Sequence, residues 1–400
     1  MSKYQAVNYF KTAYGGLSKP IWLLSAAMFI NRSGTMVFPF LSLYLTQYLH
    51  FSIADTGIIL IIYGLGAVTG NYMGGFLTDR FGHYLVQVLA LIFAGIMLLV
   101  VMFLTNFYSI AIGLFIFTAF GDTFRPANQT AIAMYSHAEN RTRAYTMNRL
   151  AINFGWAIGA GLGGILAYKN YQLLFLVDGI TCILAGIFLM FFLKPSKQKF
   201  KQEQVNLPDA ELKSSPYRDG IYLIFVSMTL IFAISFFLLF SVIPIYFKEI
   251  HHLTEIQIGG LQTLNGIIIV IFEMFLVYEL EKRFKKMNII ALGLVFTGLS
   301  YLVFNMVSAT GIVIVSLLFI TFGEMFAMPF MQSATVARSS PKTRGKYLGL
   351  YGMTYSIAQI ASPGLGTWVV ANYSYSALWN GIFVACCAGA TGFVFLRNRM

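Results

Sequence analysis

The sequence predicts an all-α membrane protein, with 12 transmembrane helices in two pseudo-symmetric six-helix bundles. Three observations carry this. Of 400 residues, 58% are hydrophobic and only 10% charged, whereas soluble proteins carry about 25% charged residues. Twelve apolar runs follow one another, each near the length of about 20 residues that a bilayer-spanning helix needs. The two halves also repeat short residue groups, in order, at one nearly constant offset, which marks two copies of one structural unit.

The chain can be taken in order. Residues 1–20 are polar and lightly basic. They lack the short apolar stretch and small-residue cleavage site of a removable signal, so the run from Trp22 is expected to stay as a spanning helix. The runs cover 22–48, 53–76, 85–104, 108–135, 144–167, 173–193, 219–247, 256–279, 288–306, 311–336, 345–370 and 375–396. Their connectors are too short for a soluble domain, with one exception. Residues 194–218 are polar and basic and contain Pro195, Pro208 and Pro216, the composition of a linker. The expected organisation is a first bundle over 1–193, a cytoplasmic linker over 194–218 and a second bundle over 219–400.

The net charge of +12 does not point to nucleic acid, because the basic residues lie between apolar runs instead of on one soluble face. With the N-terminus placed inside and the sides alternated, 22 of the 27 Lys and Arg fall on the inner side, counting Lys346 at the inner end of its run, two (Lys169 and Lys248) outside and three (Arg32, Arg125 and Arg149) further within runs. Positive charge marks the cytoplasmic side, so both termini are expected in the cytoplasm of a plasma-membrane protein. Cys182, Cys386 and Cys387 all fall inside apolar runs and read as small buried hydrophobes, with no metal spacing and no disulfide framework.

The repeat is explicit in the residues. Gly57 matches Gly259 and Gly64 matches Gly266 at 202, and Phe120-Gly121-Asp122 matches Phe322-Gly323-Glu324 at 202. Arg80-Phe81 matches Arg283-Phe284 at 203, Thr142-Arg143 matches Thr343-Arg344 at 201, and Gly161-Leu162-Gly163 matches Gly364-Leu365-Gly366 at 203. Parallel halves of this kind are a plan of secondary transporters, with the substrate site near the membrane midplane between them.

Two motifs narrow the reading. Between the second and third runs stands Gly75-Phe76-Leu77-Thr78-Asp79-Arg80-Phe81-Gly82. It resembles the signature Gly-x-Leu-x-Asp-Arg-x-Gly-Arg-Lys of the major facilitator superfamily, with His83 and Tyr84 in place of the basic pair. In that resemblance Gly75, Asp79, Arg80 and Gly82 form a cytoplasmic gate, whose acid and base can hold and release charged partners. In the fifth run, Gly155, Gly159, Gly163 and Gly164 recur at spacings that let two helix backbones approach closely. This stretch is similar to the Gly-x-x-x-Gly-Pro-x-x-Gly-Gly motif of the proton-coupled drug antiporter branch, with Ala160 at the proline position.

The candidate site residues are the charges inside the runs. Asp122 and Arg125 are three residues apart, so they share a face of one helix. A charge at the middle of a bilayer helix costs about 2.5–3.5 kcal/mol on insertion scales, so it normally faces a partner or a watery cavity. Asn31 and Arg32 in the first run, Glu324 in the tenth and Glu273 in the eighth are the other candidates, while Arg149 and Asp178, nearer run ends, are expected to snorkel. The resemblance implies that the first, fourth, seventh and tenth helices line a central cavity. Asp122 and Glu324 would then carry protons, and Arg32 and Arg125 would tune them or bind an anionic group.

The expectation is a secondary transporter working by alternating access. It would export amphipathic or hydrophobic small molecules against protons, as a monomer, with no cofactor beyond the proton gradient. The alternative is a proton symporter importing a peptide, sugar or organic anion. A membrane-embedded enzyme or receptor is disfavoured, because the chain offers no catalytic constellation, no phosphate-binding Gly-x-x-x-x-Gly-Lys loop and no soluble module. His251-His252 lacks further ligand spacing, so no metal site is expected.

Overall fold

The computed structural model of the chain describes residues 16–136, 141–193, 215–306, 311–339 and 343–400. Most of the expected linker, 194–214, lies outside them. The first run forms α1 (Lys19–Gly34), α2 (Val37–Leu43) and a wider π turn (Tyr44–Tyr48). The next five spans are α3 (Ile53–Phe81), α4 (His83–Val101), α5 (Phe107–Tyr135), α6 (Arg141–Lys169) and α7 (Gln172–Phe192). The second half holds α8 (Gly220–Ser241), α9 (Ile243–Glu249), α10 (Glu255–Arg283), α11 (Lys286–Leu302), α12 (Ile312–Arg338), α13 (Arg344–Asn372) and α14 (Tyr375–Leu396). No strand occurs among the described residues.

Eleven of these segments are long and apolar enough to cross a membrane. The remaining expected span coincides with α13, which is 29 residues long but more polar, with Lys346, Thr354, Ser356, Gln359 and Ser362 inside it.

Helix ends follow local chemistry. Asn106 opens α5 by accepting from the Tyr108 N–H at 3.0 Å. Thr254 and Gln257 form a reciprocal capping box at the start of α10, and Ser374 accepts from the Ala377 N–H at 3.1 Å to open α14. Such caps satisfy donors that the first turn leaves orphaned. The stretch expected as a connector between the second and third spans is helical through Phe81. Only Gly82 turns, at φ 84°, a left-handed conformation that glycine adopts without strain. The reason is plain in the sequence: nothing before Gly82 breaks a helix.

The described residues fall into two compact units: 16–38 with those between 62 and 193, and 39–61 with those between 215 and 400. In the first unit α4 packs on α5 and α7, and α1 packs on α6 and α7. In the second, α11 packs on α12 and α14, and α8 packs on α13 and α14. Allowing for the offset, these are the same pairs, so the repeat in sequence is also a repeat of packing. The first core is built from Ile21, Leu24, Met28, Leu91, Phe124, Ile132 and Leu189. The second is built from Tyr222, Phe225, Phe232, Leu294, Phe330 and Phe393. Phe103, Ile112, Phe191, Val384 and Phe395 stay exposed, as side chains facing lipid do in a polytopic protein. Within the second unit, Gly57 and Gly364 mark close approaches: a Cβ on Gly57 would meet the Thr367 side chain, and one on Gly364 would lie 2.8 Å from Ile61 Cδ1.

Candidate functional site

The first unit gathers most of the ionisable groups that the sequence singled out. On α5, Arg125 Nε lies 2.8 Å from Asp122 Oδ1, the i,i+3 pair that the spacing implied. The Asp122 side chain is 14% exposed and that of Arg125 48%. Arg32, on the last turn of α1, lies within electrostatic range of Asp122, Arg125 and Tyr63. Its side chain makes no hydrogen bond or ion pair among the described residues, and its Nε is buried without a partner. A guanidinium in this setting is a donor held ready, because leaving a buried donor unsatisfied costs free energy until something accepts from it.

The local build explains how Arg32 is held. The first span breaks at Thr35-Met36, and Asp178 of α7 fills the break. Its Oδ2 accepts from the N–H groups of Met36 at 3.1 Å and Val37 at 3.2 Å. Asn31 donates to Cys182 Sγ at 3.3 Å, and the Cys182 thiol lies 3.6 Å from Asp178 Oδ1. On the other side α6 presses close. A Cβ on Gly155 would stand 2.7 Å from Arg32 Cβ, and one on Gly159 3.0 Å from the Arg32 carbonyl oxygen. Gly163 and Gly164 are buried further along α6. The first two glycines of the motif therefore clamp the helical turn that carries Arg32.

Sequence reasoning missed three members of this cluster. Tyr63 stacks on Phe38 at 5.4 Å, and its carbonyl accepts from the Thr118 hydroxyl at 2.9 Å. Asp178 does not snorkel as expected: it is 3% exposed, and its carboxylate is spent on the span break. The insertion cost that singled out Asp122 applies equally to an acid between Val177 and Gly179, so that argument could have found it. Cys182 is buried as expected, but it also bonds. Its contact recurs in the second unit, where Ser235 and Cys386 meet at 3.4 Å. Both pairs are separated by 151 residues.

The other candidates lie elsewhere. Glu324 sits on α12 of the second unit, within electrostatic range of Tyr355, whose hydroxyl accepts from that of Tyr351 at 3.2 Å. One turn before it, Thr321 accepts from Asn265 of α10 at 2.8 Å. Glu273 is partly buried on α10, at the end of its apolar stretch. Among the gate residues, Gly75 has open space where a Cβ would point, Asp79 is exposed, and the Arg80 guanidinium lies 5.3 Å from the Phe81 ring centroid.

Two further groups lie just outside the spans of the second unit. Asp219 caps α8 and is clasped by Arg338, with Oδ2 at 2.8 Å from Nε and Oδ1 at 2.9 Å from Nη2. The Tyr347 hydroxyl donates to the same carboxylate at 3.0 Å. Burial alone would raise the Asp219 carboxyl, but the bonds from Arg338, the Tyr222 N–H and Tyr347 hold it below the usual carboxylate range. His251 packs edge-on against Tyr246 at 5.2 Å. Burial and the neighbouring His252 push its imidazole below the ordinary histidine value.

Repeated helical bundles with unpaired and paired charges kept inside an apolar interior define a polytopic transporter. The comparisons say which kind. The sequence model of the Major Facilitator Superfamily matches residues 21–338 and again 225–399, and the chain belongs to that family of transporters. It is 26% identical, over 93% of its length and 94% of the other protein's, to a "Na(+), Li(+), K(+)/H(+) antiporter" of Planococcus maritimus. It is 23% identical to the quinolone resistance protein NorA of Staphylococcus aureus, over 70% of this chain and 72% of that one. Among solved structures, a peptide transporter POT in complex with sulfate superposes with a TM-score of 0.78 at 14% identity, covering 96% of each chain. The nucleoside transporter NupG gives 0.77 at 14% identity, covering 94% of this chain and all of that one. At these identities the structural likeness speaks for the fold alone.

Proposed function

We propose that this chain is a proton-coupled antiporter of the plasma membrane that exports amphipathic or hydrophobic small molecules by alternating access. The reading has it act as a monomer with both termini in the cytoplasm, driven by the proton gradient with no cofactor. The single observation that carries it is the first-unit cluster: the Asp122–Arg125 pair at 2.8 Å with Arg32 in electrostatic range. A carboxylate whose partner is a neighbouring guanidinium takes a proton as that partner moves away and releases it as the partner returns. In this reading Asp122 and Glu324 exchange protons, Arg32 and Arg125 set when they do so, and the exposed Asp79 and Arg80 latch one end of the molecule in one state. The two named antiport and resistance relatives support export.

A second reading is proton symport of an anionic nutrient, favoured by two arginines beside one paired carboxylate. Everted vesicles loaded with a pH-sensitive dye separate the two. A lipophilic cationic dye, Na+, K+, Li+ and a dipeptide are added in turn to vesicles energised to an acid interior. Antiport raises the interior pH on addition of its solute. Symport takes up its solute only under the opposite gradient. A vesicle that responds to none of the five overturns the antiport reading.

A further inference from the structure

We propose that Asp178 is the positioning residue for Arg32, acting as the electrostatic pin of the break in the first span. This deepens the reading of the first-unit site and rests on it for the meaning of Arg32, though not for its test.

An aspartate deep in a spanning helix costs about 2.5–3.5 kcal/mol on insertion scales, and Asp178 is 3% exposed. A chain break can be made without it. In the second unit the corresponding break, between Ser241 and Ile243, is followed directly by Pro244, which has no N–H and needs no acceptor. Cys182 and Cys386 are 204 residues apart and so are Asn31 and Ser235, but the position 204 residues after Asp178 is Ile382. The two halves thus share the break and the thiol contact, while the carboxylate belongs to the half that carries Arg32.

The geometry links the two residues. Asp178 Oδ2 takes the Met36 and Val37 N–H groups at 3.1 and 3.2 Å, where α2 begins and the partial positive charge of a helix start favours an anion. Arg32 is one turn before the break that Asp178 closes. Tyr63 of α3 also lies within range of both. Gly34 fixes the register, since a Cβ there would collide with the Thr181 side chain of the same α7 turn. By tying the Met36 and Val37 N–H groups, Asp178 fixes the end of the turn on which Arg32 stands, within electrostatic range of Asp122 and Arg125. It holds the guanidinium ready instead of consuming it.

The test is a cycle of the full-length protein in detergent: wild type, Arg32→Ala, Asp178→Ala and the double variant, with Asp178→Asn as the variant that keeps a neutral acceptor. Amide exchange is read by mass spectrometry on peptides covering residues 30–38. Losing charge-assisted bonds to two amides raises their exchange roughly 10–100-fold in Asp178→Ala, with Asp178→Asn in between. Coupling is reciprocal, so Arg32→Ala also raises exchange there, and the double variant is no worse than Asp178→Ala alone. Exchange at wild-type rates in Asp178→Ala overturns the proposal, and so do single effects that multiply in the double variant, because they describe two independent residues. In vesicles, Asp178→Ala and Asp178→Asn raise the solute KM as Arg32→Ala does, with Vmax less affected; a pure fall in Vmax with unchanged KM marks a structural role and also overturns it. A wild type that transports none of the solutes sinks the antiport reading only, and the exchange cycle still decides this one.

Discussion

Replacing Gly155 by alanine should damage the first unit out of proportion to one methyl group. The new Cβ would sit 2.7 Å from Arg32 Cβ and 3.0 Å from both the Phe29 carbonyl oxygen and the Ser33 nitrogen. None of these atoms is the far end of a flexible side chain, so α1 and α6 must separate. A gap of about 0.5–1 Å forfeits a quarter to a half of each contact along it, and overpacking of this kind costs about 1–3 kcal/mol. If the first bundle melts as a unit of its size, that is a fall of about 2–7 °C in midpoint. The control is Gly260→Ala on α10, where a Cβ would meet nothing within 4 Å; alanine there should be neutral or stabilise by about 0.4–1 kcal/mol. The assay is thermal unfolding of purified protein in detergent, followed by intrinsic fluorescence. Equal midpoints for Gly155→Ala and Gly260→Ala would falsify the claim that the glycine motif clamps the Arg32 turn.

Other outcomes follow from the charges. Asp122→Asn should reduce solute-driven proton release in everted vesicles to background, while Arg125→Lys keeps part of it; full activity in Asp122→Asn removes that residue from coupling. Arg338→Ala should cost about 1–3 kcal/mol, since it strips charged hydrogen bonds from the Asp219 carboxylate. Asp219 has a folded pKa below its unfolded value of about 3.9. Its stabilisation is therefore present above about pH 4 and lost as pH falls through the lower, folded value. Asp219→Asn should flatten that acid limb in melting curves, and an unchanged limb refutes the assignment. His251 is held below its unfolded value of about 6.5, so stability is retained above about pH 6.5 and falls as acid charges the ring. His251→Phe, which keeps the ring packing, should abolish that fall, and an identical profile would show that another group titrates.

Much of the fold was legible because its determinants are local. The apolar run lengths gave the spans, and the ends of α4, α5 and α14 lie within a few residues of expectation. The repeat offset anticipated matching packing in the two units, since copies of one pattern of apolar faces bury themselves alike. The Asp122–Arg125 pair was readable because a helix fixes what three residues apart can touch. The gate stretch was misread as a connector because its charges suggested a turn, while the backbone needs a breaker to leave the helix and finds none before Gly82.

The sequence by itself determined the membrane class, the two-fold repeat, the approximate place of the spans and the Asp122–Arg125 pair on one helical face. Only the tertiary structure decided that Asp178 is buried in the break of the first span, that Asn31 bonds Cys182, and that Gly155 and Gly159 bear on Arg32. The physical reason is distance along the chain. Asp178 and Met36 are separated by 142 residues, and no helical period links such positions. Their meeting is set by how α1 packs on α6 and α7.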